Sequence, residues 1–182
     1  MDRNTSHNIS PCHGLALHAI SMSKEYITKS RTVVFEIKWI ITMDADYIIN
    51  YLKLTEHPEG GWFKETFQSK ETSNGSSNLS MIYYLLKENE NSHWHRVTDA
   101  DEIWLWHLGD PLLLSYSDER STKEITLGPD LNNNEELQAV IPKSIWQKAK
   151  SNGAWSLVSC VVAPAFSFDG FEMAKKGWEP KT

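Results

Sequence analysis

The stretch His93-Trp94-His95-Arg96-Val97-Thr98-Asp99-Ala100-Asp101-Glu102-Ile103-Trp104-Leu105-Trp106-His107-Leu108-Gly109 decides how the chain is read. Side chains alternate along a strand, so His93 and His95 share one face and Trp94 takes the other. Thr98 to Asp101 offers a turn, and a hairpin there sets Glu102 beside the two histidines. Two imidazoles and one carboxylate then converge. Such a set suits a divalent transition metal with open coordination positions, and equally suits proton transfer or hydrogen bonding without one. On the second strand Trp104 and Trp106 fall on the face of Glu102 and form aromatic walls. His107 faces the other way with Ile103 and Leu105, which makes it structural.

Working outward, apolar runs broken by Asn, Gly, Asp and Pro predict strands at Trp62 to Phe67, Leu79 to Leu86, His93 to Val97, Glu102 to Leu108, Leu112 to Tyr116, Glu124 to Leu127, Leu137 to Ile141, Ile145 to Ala149 and Trp155 to Val162. With no crossover helices among them, a parallel α/β sheet is excluded, and an antiparallel all-β sandwich or barrel is expected. Ile48, Ile49 and Leu52 sit at helical spacing after Asp44 and Asp46, which predicts one short packing helix near residues 44–54. Ser69 to Asn78 is polar and contains Gly75, as expected of an exposed loop. Glu65, on the strand after the Gly60-Gly61 turn, can reach the interior.

The 182 residues suit one domain with an extension. Residues 1–42 are basic and largely polar, whereas residues 43–182 are acidic, so a flexible or accessory N-terminal extension and one folded domain are expected. Within the extension, Thr32 to Ile41 reads as a strand. A net charge of −6 gives no footprint for a phosphate backbone, which excludes nucleic acid as a natural partner. No run approaches the roughly 20 apolar residues that cross a bilayer. The two cysteines, Cys12 and Cys160, define no disulfide framework, and a reducing, cytoplasmic setting is expected.

His93-x-His95, then Glu102, then Gly109 resembles the first cupin motif, although six residues separate His95 from Glu102 where cupins generally have three or four. A wider set of blocks resembles the uncharacterised cupin family DUF985 (Cupin_5). These are His57-Pro58-Glu59-Gly60-Gly61-Trp62-Phe63, His95-Arg96, Asp101-Glu102-Ile103-Trp104, Gly109-Asp110-Pro111-Leu112, Pro142 to Gln147, and Val162 to Phe166 with Phe171-Glu172. The resemblance implies an RmlC-like jelly roll, a cupin-type antiparallel β-barrel, in a chain that forms a homodimer; it implies no established reaction. It also places Gln147 where the last metal-binding His of a cupin stands.

The expected function is therefore the binding of a small, sugar-like molecule. Its pocket is expected to use His93, His95, Glu102, Trp104, Trp106, Gln147 and Glu65. Whether the chain is an enzyme stays open. One alternative is an epimerase or isomerase with His95 and Glu102 as the catalytic acid and base. The other is a metal-dependent enzyme in which His93, His95 and Glu102, with Gln147 beside them, hold a divalent transition metal.

Overall fold

A computed structural model describes residues 43–70 and 77–181. The expected extension over 1–42, its strand at 32–41 and most of the predicted loop (residues 71–76) lie outside the described residues. In chain order the elements are α1 (Ala45–Leu52), β1 (Thr55–Glu56), β2 (Trp62–Gln68), β3 (Ser80–Lys87), β4 (His95–Val97), β5 (Asp101–Gly109), β6 (Leu112–Ser117), β7 (Thr122–Leu127), a 3-10 turn (Leu131–Asn133), β8 (Gln138–Ile141), β9 (Trp146–Ser151), β10 (Trp155–Ala163) and β11 (Phe171–Met173). The strands form two antiparallel sheets, ordered β1-β2-β3-β10-β5-β8 and β11-β4-β9-β6-β7. Their inner faces pack together as a jelly roll whose two sheets stay distinct.

The alternation in the sequence sets which side chains meet. Along β10, Val158, Cys160 and Val162 point inward, and β5 answers with Trp104 opposite Cys160 and Glu102 opposite Val162. Tyr84 and Leu86 from β3 join Leu112 and Leu114 from β6, Ala149 from β9 and Leu127 from β7 to fill the core between the sheets. Outside the six-stranded sheet lies a second cluster, in which Ile48 and Ile49 of α1 cover Leu85 and Leu157. Each buried isoleucine contributes about 2 kcal/mol of apolar transfer. Asp44 caps α1 by accepting from the Tyr47 amide at 2.7 Å, and Lys53 ends it in the left-handed conformation.

The predicted hairpin at Thr98 to Asp101 does not form. β4 belongs to the five-stranded sheet and β5 to the six-stranded one, so the turn carries the chain from one sheet to the other, with Thr98, Asp99 and Asp101 exposed. This crossing accounts for the long spacing between His95 and Glu102. β4 also starts at His95, leaving His93 and Trp94 outside the strand, where alternation no longer governs them.

After β11 the chain lies along the outer face of the five-stranded sheet. Ala174 donates its amide to the Trp94 carbonyl at 2.9 Å. Trp178 packs edge-on against Trp94 and tilted against Trp146, at centroid distances of 5.9 and 4.8 Å. Among the described residues no helix is long and apolar enough to cross a membrane.

Candidate functional site

The site begins at the turn His57-Pro58-Glu59-Gly60-Gly61, closed by His57 N–H to the Gly61 carbonyl at 2.9 Å and Gly60 N–H to the His57 carbonyl at 3.0 Å. Gly60 has φ of +106°, and a Cβ there would lie 2.6 Å from the Asn91 carbonyl oxygen. Only glycine lets this turn approach the segment before β4 so closely. The approach is secured by His93, whose amide donates to the Glu59 carbonyl at 2.6 Å. As a result the Glu59 side chain is turned inward and is 8% exposed.

Glu59 Oε2 lies 3.2 Å from His95 Nδ1 and 3.7 Å from His57 Nδ1. The Tyr84 hydroxyl stands beside the same carboxyl and donates to the Gly60 carbonyl at 2.7 Å. Burial pushes the Glu59 carboxyl up to about 8, with the Tyr84 contact opposing the shift. Burial also pulls the His57 imidazole down to about 4, helped by His95. The Glu59 carboxyl therefore lies close to two imidazoles whose charged forms burial disfavours, and the His57 Nδ1 accepts instead from the Glu59 backbone amide at 3.3 Å. His95 is held by its Nδ1, 2.8 Å from the His93 carbonyl oxygen. A carbonyl can only accept, so Nδ1 carries the proton and Nε2 keeps its lone pair. The His95 ring is 2% exposed and lines the cavity, and Nε2 has no hydrogen-bond partner among the described residues.

Glu102 faces His95 from the opposite sheet. Its Oε2 accepts from the Gln147 side-chain amide, while the Gln147 carbonyl oxygen accepts from the Trp104 indole N–H at 2.9 Å. An indole can only donate, so Trp104 fixes which end of the Gln147 amide meets Glu102. Burial raises the Glu102 carboxyl, His95 opposes the shift and Glu59 adds to it. Burial lowers His95, while the Glu102 charge pulls the other way. Beside Glu102 the Cys160 thiol is driven far up, first by burial and then by the charge of Glu102.

Around these groups lies a cavity of about 140 Å³, close to the roughly 150 Å³ that accommodates one benzene ring. Glu59, His57, His95 and Glu102 form its polar part. Phe166, Phe168 and Phe171 make an aromatic wall, and Glu65, Phe63 and Ile82 come from the β2–β3 side. The phenylalanines stack edge-on among themselves at centroid distances of 5.1 to 6.2 Å.

Of the residues picked out in the sequence, His95, Glu102 and Glu65 line the cavity, with Gln147 fully buried directly behind Glu102. His93 does not converge with them, because its Nε2 lies 2.9 Å from the Ala174 carbonyl oxygen and the ring faces the C-terminal segment. Its contribution is through the backbone, where its amide holds Glu59 and its carbonyl orients His95. Trp104 and Trp106 share the inward face of β5 with Glu102, as expected, but sit below the cavity. Trp104 is core, and the Trp106 indole donates to the Asp110 carbonyl at 3.2 Å. His107 takes the structural place expected of it, with Nε2 2.6 Å from Ser159 Oγ on the outer face of the sheet. Arg96 is no partner for Glu102; it pairs with Glu172 at 2.6 Å on the outside of β4.

The expected metal set is not assembled. His93 is turned away, the Gln147 oxygen is occupied by Trp104, and among the described residues no three His, Cys, Asp or Glu side chains are placed to hold an ion. Glu59 and His57 were the residues missed, since a Glu-Gly-Gly sequence reads as an ordinary turn. The signal was the resemblance of the whole block from His57 to Phe63 to a family sequence, which a plain turn has no need of.

Comparison with known proteins agrees with this architecture. The family described as Cupin superfamily (DUF985) matches residues 46–174. The chain is 30% identical over 151 residues to the uncharacterized protein YML079W of Saccharomyces cerevisiae, covering 70% of this chain and 74% of that one. Protein SO0799 from Shewanella oneidensis is 36% identical, with a TM-score of 0.69, covering 72% of this chain and 85% of its own. A hypothetical protein from Leishmania major is 29% identical with a TM-score of 0.65, covering 72% of this chain and 88% of its own. Matched by its family model over most of its length, the chain belongs to the DUF985 family of the cupin superfamily.

Proposed function

We propose that this chain binds a small, ring-sized molecule in the cavity between its sheets. The observation that supports the reading is the division of one cavity into an apolar part walled by phenylalanines and a polar part carrying His95, Glu59 and Glu102. Ligand sites combine apolar walls with a few convergent polar groups in this way. The sugar-like ligand expected from the sequence relied on Trp104 and Trp106 as walls; with phenylalanines there instead, sugars become one class among several ring compounds. A thermal-shift screen of neutral sugars, sugar phosphates, cyclic alcohols, amines and small acids should raise the melting temperature for one class. A flat response across all of them would remove the reading.

A second reading is acid–base isomerisation, favoured by the facing of Glu102 and His95. Burial favours the protonated form of the first and the neutral form of the second, which are the forms an acid and a base need. His95 Nε2 would take a proton from a carbon beside a carbonyl while the Glu102 O–H protonates the carbonyl oxygen. Glu102→Gln should then abolish turnover while leaving affinity within about tenfold; retained turnover would refute it. The homodimer remains part of the proposal. Leu137 and Val140, more than half exposed at the β8 edge, support it, and light scattering would report it.

A further inference from the structure

The ionisable groups that line the cavity are one-sided. Glu59, Glu65 and Glu102 all reach it, and among the described residues no Lys or Arg does. The nearest cations by sequence are engaged elsewhere. Arg96 is on the outer face with Glu172, and Lys64 donates to the Leu52 carbonyl at 3.1 Å. The fixed lone pairs facing the cavity add to this imbalance. His95 Nδ1–H is committed to the His93 carbonyl, so the ring, 2% exposed, offers the cavity only the Nε2 lone pair. Glu102 already accepts from Gln147 and has no cationic partner. A ligand that matches this lining brings donors and positive charge, with an apolar body for Phe166, Phe168 and Phe171.

We infer that the cavity selects a small organic cation, a primary or secondary ammonium carried on an apolar ring, with the ammonium against Glu59, Glu102 and His95 Nε2 and the ring against the three phenylalanines. This rests on the proposal that the cavity is a small-molecule site and names the class of that molecule. An ammonium has only donors, which pair with every open acceptor here. It also supplies the countercharge that the buried carboxyls lack, so a carboxylate it touches ionises with a partner in place. Phenyl faces add a cation–π attraction. A phosphate or carboxylate ligand meets the opposite situation, since it would bring an anion into a site with three carboxyls and no fixed cation. Sugar phosphates and nucleotide-linked sugars are thereby disfavoured.

The test is calorimetric titration of the full chain at pH 7.5 with two matched sets of three: benzylamine, benzyl alcohol and benzoate, then cyclohexylamine, cyclohexanol and cyclohexanecarboxylate. At least one amine should bind about tenfold or more tightly than its alcohol, the scale of a charge-assisted hydrogen bond, with the acids weakest. Glu102→Gln should remove that amine preference while leaving alcohol affinity within about threefold. Glu65→Gln, at an exposed position, is a second variant that does not disturb the core and should weaken the amine alone. Equal or tighter binding of an alcohol or an acid would overturn the inference and leave the small-molecule site standing. No binding by any of the six, together with a flat thermal-shift screen, would overturn both.

Discussion

The Glu59 carboxyl is buried against two imidazoles whose own burial disfavours the charged form, so no cation relieves the cost of ionising it. The folded chain therefore holds the Glu59 proton more tightly than the unfolded chain does. Its contribution to stability is complete below about 4.5 and is lost as pH rises through about 8. His57 runs in the opposite sense. Its lowered pKa removes stability as pH falls from 6.5 toward about 4. Urea denaturation at pH 5 and pH 8.5 should show Glu59→Gln gaining on the wild type by several kcal/mol between the two, since glutamine has no proton to lose. Parallel profiles for the two proteins would show that Glu59 is not the group responsible. At this scale the sequence was only half legible. His95 and Glu102 could be placed by strand alternation and Glu65 by its strand after the turn, but Glu59 lies on the turn itself, where no periodicity tells which way a side chain points. His93 failed for the same reason, since β4 begins two residues after it.

Among the elements, the turn from His57 to Gly61 and the crossing from β4 to β5 do most to place the site. Gly60 illustrates why the turn tolerates so little. A methyl group at φ of +106° would be strained and would press on the Asn91 carbonyl at 2.6 Å. Gly60→Ala should cost about 2 kcal/mol or more. It should also weaken whatever ligand the thermal-shift screen identifies, because the Glu59 carbonyl would lose its bond to the His93 amide. Chemical denaturation and titration of that ligand check the two effects. Nine of the eleven strands were visible as alternating runs. The two that were not, β1 and β11, have two and three residues, too short for a period to declare itself. The crossing was missed because a polar turn between two strands looks the same whether it closes a hairpin or changes sheets. Only the unusual spacing between His95 and Glu102 hinted at the second.

For the molecule as a whole, the two sheets are joined by polar bonds in the core as well as by apolar packing. Outside the five-stranded sheet, the C-terminal segment adds a separate aromatic cluster. The Trp94 indole donates to Glu179 at 2.6 Å, and Trp178 covers Trp94 and Trp146. Trp178→Ala should destabilise the fold by about 2 kcal/mol, less than a fully buried tryptophan because this one stays partly exposed. Ligand affinity should stay unchanged, since the cluster faces away from the cavity; circular dichroism in urea together with calorimetry would separate the two. The jelly roll itself was readable from the sequence through the family blocks, while the inward course of the chain after β10, which brings Phe166, Phe168 and Phe171 to the cavity, was not fully foreseen. The run from the Trp104 indole through Gln147 to Glu102 gives the protein a built-in chromophore wired to its site. Any guest that tugs on the Glu102 carboxyl alters the field felt by a ring sealed in the dry interior, so occupancy should register in native fluorescence with no label attached.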